Sequence, residues 1–100
     1  MAHQLTFNQA KRAHLKTLQQ YIPVVSRVHG ASHPEFYEVH RLFDAIKVKI
    51  KEAGSKKVEL DDEFAQLRKI TNNYTIPPDV CESYEAVYSM LADLDKAYHA

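Results

Sequence analysis

Ser32-His33-Pro34-Glu35-Phe36-Tyr37-Glu38-Val39-His40-Arg41-Leu42-Phe43-Asp44-Ala45-Ile46-Lys47-Val48-Lys49-Ile50-Lys51-Glu52-Ala53-Gly54 reads as one amphipathic helix with both ends marked. Ser32 suits an N-cap, Pro34 is tolerated in a first turn, and Glu35 completes a Ser-x-x-Glu capping box. Phe36, Val39, Phe43, Ile46 and Ile50 follow one another at alternating steps of three and four, the spacing that places side chains on one helix face. Ala53 is the next member of that stripe, and Gly54-Ser55 ends the element. The segment predicts a helix over 33–53.

The same period extends in both directions. Upstream, Leu15, Leu18, Ile22 and Val25 predict a helix over 6–28, opened by a Thr6/Gln9 capping box and kinked at Pro23. Gly30 after His29 suits a left-handed helix close. Downstream of the basic link Lys56-Lys57, the residues Leu60, Phe64, Leu67 and Tyr74, with Ile70 alongside, predict a helix over 58–73. Asp61, Asp62 and Glu63 lie in its first turn, where negative charge complements the helix dipole. Asn72-Asn73 and Pro77-Pro78 punctuate the chain. Val80, Tyr84, Val87, Leu91, Leu94 and Tyr98 then form the longest stripe, predicting a helix over 78–99. Four amphipathic helices with short links pack most simply as an all-α, up-down four-helix bundle.

One hundred residues make a single domain. Thirteen acidic and thirteen basic side chains balance to a net charge of zero, which gives no long-range field for nucleic acid or an anionic membrane. The longest apolar runs fall well short of the roughly 18 residues of a bilayer span, and Met1-Ala2-His3-Gln4 does not begin a secretory signal. One cysteine, Cys81, forms no internal disulfide, which suits a reducing cytoplasm. The expected setting is therefore cytoplasmic, without nucleic acid or membrane.

Six histidines in so short a chain raise the question of metal. The candidate ligands are His29, His33 and His40, together with a carboxylate, for iron or zinc. Gly30 separates the first two, and His33 and His40 stand two turns apart, roughly 10 Å along a helix. A single ion with nitrogen ligands near 2 Å bridges that distance poorly. The alternative assigns these histidines to caps and surface. His29 extends the inward stripe of the first helix and should face the interior, whereas His3, His14 and His99 carry no spacing signal and are expected to be solvated. Cys81 falls in the first turn of the last helix, a setting in which thiols can become reactive. Its neighbours in sequence include no base. A structural thiol is the alternative.

Two segments carry a resemblance. Val28-His29-Gly30-Ala31-Ser32-His33-Pro34-Glu35 resembles the V-H-G-x-S/N-H-P motif of the iron–sulfur cluster repair di-iron (RIC) family, and Thr71-Asn72-Asn73-Tyr74-Thr75-Ile76-Pro77-Pro78-Asp79-Val80-Cys81 resembles its T-N-N-x-T-x-P-P-x-x-C segment. Tyr84, Tyr88, Leu91 and Leu94 continue the likeness. The resemblance implies a hemerythrin-like bundle carrying two bridged irons, and a role in repairing clusters damaged by nitrosative or oxidative stress. It also implies an N-terminal cysteine pair, which has no counterpart here.

Carried over residue by residue, the resemblance places one family ligand at His29, one near Asn8, one at Ala53 and one near Lys57. The family's H-x-x-x-E block shrinks to Gly54-Ser55-Lys56-Lys57, and its last H-x-x-x-E-N block would begin just after Ala100. Only His29 keeps a ligand side chain. The resemblance therefore implies a shortened relative that has lost its di-iron centre, needs no cofactor, and acts as a binding or accessory bundle rather than an enzyme. A second copy of the chain or a full-length repair-family protein would be its partner. Two other readings stand beside this one. One is a metal-binding stress protein using the reduced histidine set; the other is a thiol sensor at Cys81.

Overall fold

The computed structural model describes residues 6–54 and 56–100; His3 and Ser55 lie outside the described residues. Four helices form: α1 (Phe7–His29), α2 (Glu35–Ala53), α3 (Asp61–Ile70) and α4 (Glu82–Tyr98). No strand occurs among the described residues. The radius of gyration is 13.1 Å, as expected for one packed unit of about 100 residues. The chain is all-helical, and its packing is consistent with a four-helix bundle: α1 touches both α2 and α4, while α2 also carries α3.

The inward stripes supply the core. Leu18, Ile22 and Val25 meet Phe36, Val39, Phe43 and Ile46 of α2, Phe64 and Leu67 of α3, and Tyr84, Val87, Leu91 and Leu94 of α4, all fully buried or nearly so. At α1 the capping box forms as expected. Thr6 Oγ1 accepts from the Gln9 amide at 3.1 Å, and Gln9 Oε1 accepts from the Thr6 amide at 2.9 Å. The helix runs on through Pro23 as one element.

The other helix ends differ from expectation, each for a local reason. The Ser32 box does not form: α2 begins at Glu35 after Pro34, with no side-chain cap. The amides of Ser32 and His33 are instead taken by the His29 carbonyl, at 3.1 and 2.8 Å. Gly30 is not left-handed; at φ −57° and ψ −37° it continues the right-handed turn. Its role is steric, because a Cβ there would fall on the Ser26 carbonyl oxygen and the Tyr37 ring. α3 starts three residues later than the stripe suggests, since the Leu60 amide bonds the Tyr98 hydroxyl at 2.9 Å instead of entering a helix. α4 starts at Glu82 because Pro78-Asp79 makes a turn and Cys81 is extended (φ −82°, ψ 172°).

Past α3 the backbone reverses hand. Asn72, Asn73 and Tyr74 have φ of 52°, 59° and 61°. Asparagine tolerates this region, but a tyrosine there is unusual. Local bonds hold the turn: Thr71 Oγ1 donates to the Leu67 carbonyl at 2.6 Å and accepts from the Tyr74 amide at 2.8 Å. The Tyr74 hydroxyl then donates to buried Asp95 at 2.8 Å, and Arg68 Nη1 meets the same carboxylate at 2.8 and 3.1 Å. Burial first, and this bond to Asp95 second, hold the Tyr74 phenol far above its ordinary range.

Candidate functional site

Two chain segments meet at the α1–α2 turn. The His33 amide bonds the His29 carbonyl four residues back, so the turn repeats helical spacing and brings both imidazoles to one side. Both rings stand edge-on to Tyr84, with centroids 5.5 Å away. Facing them is the stretch before α4, where the turn at Pro78-Asp79 and the extended Cys81 two residues on present both side chains to the histidines. The result is two rungs. His29 Nε2 lies 3.1 Å from Cys81 Sγ, and His33 Nε2 lies 3.1 Å from Asp79 Oδ1.

His33 is also 3.2 Å from Glu35 through Nδ1, so each ring nitrogen faces a carboxylate. A neutral imidazole has one N–H and can donate to only one of them; the imidazolium donates to both. This ring acts as a clasp between the α1–α2 turn and the α4 approach. Beneath it, Tyr84 is wholly buried against Phe36, and its hydroxyl lies 3.0 Å from that of Tyr88. Burial chiefly, then the bond to Tyr88 and the charge of Glu35, push the Tyr84 phenol far above its usual range. Burial likewise raises Tyr88, opposed by its bond to Tyr84. Both phenols therefore stay neutral and serve as the floor of the site.

Cys81 is exposed, and as the N-cap of α4 it makes no capping bond with its side chain. The thiol is free to face His29. A ring nitrogen at 3.1 Å is within reach to accept a thiol proton, the arrangement in which histidine activates cysteine.

Of the three histidines considered as metal ligands, the structure brings His29 and His33 together around Tyr84 and leaves His40 apart. His40 faces Asp44 one turn on, at 3.6 Å. Among the described residues, no three His, Cys, Asp or Glu side chains are grouped to hold a metal ion. His14, expected in solvent, is half-buried and reaches Asp93 of α4 at 3.1 Å; His99 is exposed as expected, and also lies between Asp95 at 2.8 Å and Asp61 at 3.3 Å. Their helix faces border neighbouring elements, which periodicity alone does not reveal.

The positions matched to the di-iron family separate into two places. Asn8 and Lys57 line one cavity of about 330 Å³ at the N-terminal end of α1, and Ala53 closes α2. His29 ends α1 some 31 Å away by helix rise, so it cannot share a centre with them. An amide, a methyl and an ammonium do not fit a di-iron centre.

The contacts missed from sequence are those between residues far apart in the chain, Cys81 with His29 and Asp79 with His33. The available signal was spacing: four between the histidines, and two between Asp79 and Cys81 just before a helix. No family model matches the chain, and no solved structure matches it.

Proposed function

We propose that the chain acts through a histidine-assisted thiol, Cys81 with His29, that exchanges with small-molecule disulfides. The observation that carries this reading is the 3.1 Å approach of His29 Nε2 to the sulfur of an exposed cysteine. In the exchange, His29 takes the Cys81 proton and the sulfur attacks one sulfur of the disulfide. A new S–S bond forms, the old one breaks, and the departing thiolate receives the proton from His29. The chain has a single cysteine, so the product is a mixed disulfide on Cys81, cleared by a second small thiol. Such chemistry suits a thiol-rich compartment such as the cytoplasm.

The test is the rate at which glutathione disulfide modifies Cys81, followed by intact mass. His29→Gln should slow it by up to about thirtyfold at pH 7, the most that full conversion of an ordinary thiol to thiolate contributes. An unchanged rate in a folded His29→Gln protein refutes the reading.

A second reading concerns descent. Asn8 and Lys57, matched separately to two of the repair family's ligand positions, meet in one cavity, while His29, matched to a third, lies at the other end of α1. The meeting of the first two, with side chains that bind iron poorly, is what supports a hemerythrin-like relative that has lost its irons and works as an accessory bundle, with a second copy or a full-length repair protein as partner. Iron measured in protein purified from iron-supplied cells without chelators should be far below one per chain. Near-stoichiometric iron would overturn this.

A further inference from the structure

The cavity at the N-terminal end of α1 has a chemistry of its own. It is lined by Phe7, Asn8, Lys11, Lys56, Lys57, Val58 and Tyr98, three lysines and no acidic residue among them. In a chain whose charges sum to zero, that is a local excess of positive charge within one concavity. Lys11 Nζ stands over the Phe7 ring, 5.3 Å from its centroid. Lys11, Lys56 and Lys57 form no ion pair among the described residues.

The rest of the lining is apolar and shaped. Phe7 and Tyr98 meet edge to face, 5.4 Å apart at 75°. The Tyr98 hydroxyl is committed, accepting from the Leu60 amide at 2.9 Å and donating to the Val58 carbonyl at 3.2 Å. Tyr98 therefore offers the cavity its ring rather than its oxygen. Asn8 adds one amide. At about 330 Å³ the space lies at the small end of ligand pockets, which combine an apolar body with a few polar groups that fix orientation.

We propose that this cavity binds a small aromatic carboxylate, its flat ring against Phe7 and Tyr98 and its carboxylate among Lys11, Lys56 and Lys57. The aromatic walls favour a planar apolar body over a bare ion. The lysines favour an anion over a neutral ring. The lining disfavours cations, since it includes three lysines and no acidic residue.

The probe is 2-naphthoate, titrated into the full chain and followed by backbone amide shifts. Shifts should centre on Asn8, Lys57 and Val58 and saturate at millimolar concentration or below. The neutral 2-naphthamide should bind roughly tenfold more weakly, the worth of one to two screened charge contacts. Lys11→Gln/Lys57→Gln, two changes of surface side chains checked for folding by circular dichroism, should lose the preference for naphthoate. Equal binding of the amide, equal shifts from inorganic phosphate alone, or no shifts at about 10 mM would each overturn the proposal.

Discussion

Replacing Gly30 by alanine tests whether this residue is required for its backbone or for its lack of a side chain. By backbone alone the change should help. Gly30 is right-handed helical at φ −57°, and glycine to alanine at such a site stabilises by roughly 0.5–1 kcal/mol through reduced freedom of the unfolded chain. Space argues the other way. The new methyl would overlap the Ser26 carbonyl oxygen and the Tyr37 ring. The ring belongs to a half-exposed side chain and can swing aside, but the carbonyl is backbone in the last turn of α1 and accepts the Gly30 amide at 3.0 Å. Overpacking of this kind costs about 1–3 kcal/mol, so the clash outweighs the entropy gain and the net loss is about 1 kcal/mol. For a domain of this size the melting temperature should fall by roughly 4–8 °C, read by thermal melts with urea denaturation as a second measure. Adding Tyr37→Ala removes one of the two obstacles, so the double variant should lose less than the sum of the single losses. A Gly30→Ala protein as stable as the parent, or more stable, would refute the steric argument.

Asp95→Asn should destabilise by about 2 kcal/mol in urea melts, through weakened bonds from Arg68 and Tyr74. Arg68 is partly exposed and retains water, which keeps the loss below the full cost of an orphaned buried charge. Thr6→Ala should cost about 1 kcal/mol by removing the α1 cap, detectable as faster amide exchange in the first turn. Tyr74, Tyr84 and Tyr88 have phenol pKa values raised in the folded state. Their contribution is complete below the unfolded tyrosine value of about 10 and declines as pH rises above it, because the unfolded chain then ionises first. Absorbance titration near 295 nm should show these three tyrosines ionising only as helical signal is lost; their ionisation with the helices intact refutes it.

The helices were legible because burial imposes a period, and α4 shows it best: Tyr84, Val87, Leu91 and Leu94, read as a stripe, are all buried. Ends were harder. Ser32 has the right neighbours for a capping box, yet a competing acceptor, the His29 carbonyl, takes its amide, and that competition depends on how the turn closes. Tyr74 was read as part of the third helix. It lies beyond the helix end in a left-handed turn, though its hydroxyl still reaches the buried Asp95. The Cys81–His29 contact joins residues 52 apart. No local pattern encodes such a distance; it depends on which helix ends the packing brings level.

The left-handed run at Asn72–Asn73–Tyr74 carries the chain from the end of α3 toward the start of α4. The two asparagines adopt this region readily, but the tyrosine held there costs roughly 1–2 kcal/mol, which its bonds offset. The catch is remote: the Tyr74 hydroxyl on Asp95, in the last turn of α4. From this bend the chain runs along residues 75–81 to the start of α4, where Asp79 and Cys81 meet the two histidines. The buried Asp95 carboxylate thus knots three elements at one point, the end of α3 through Arg68, the left-handed turn through Tyr74 and its own last turn of α4.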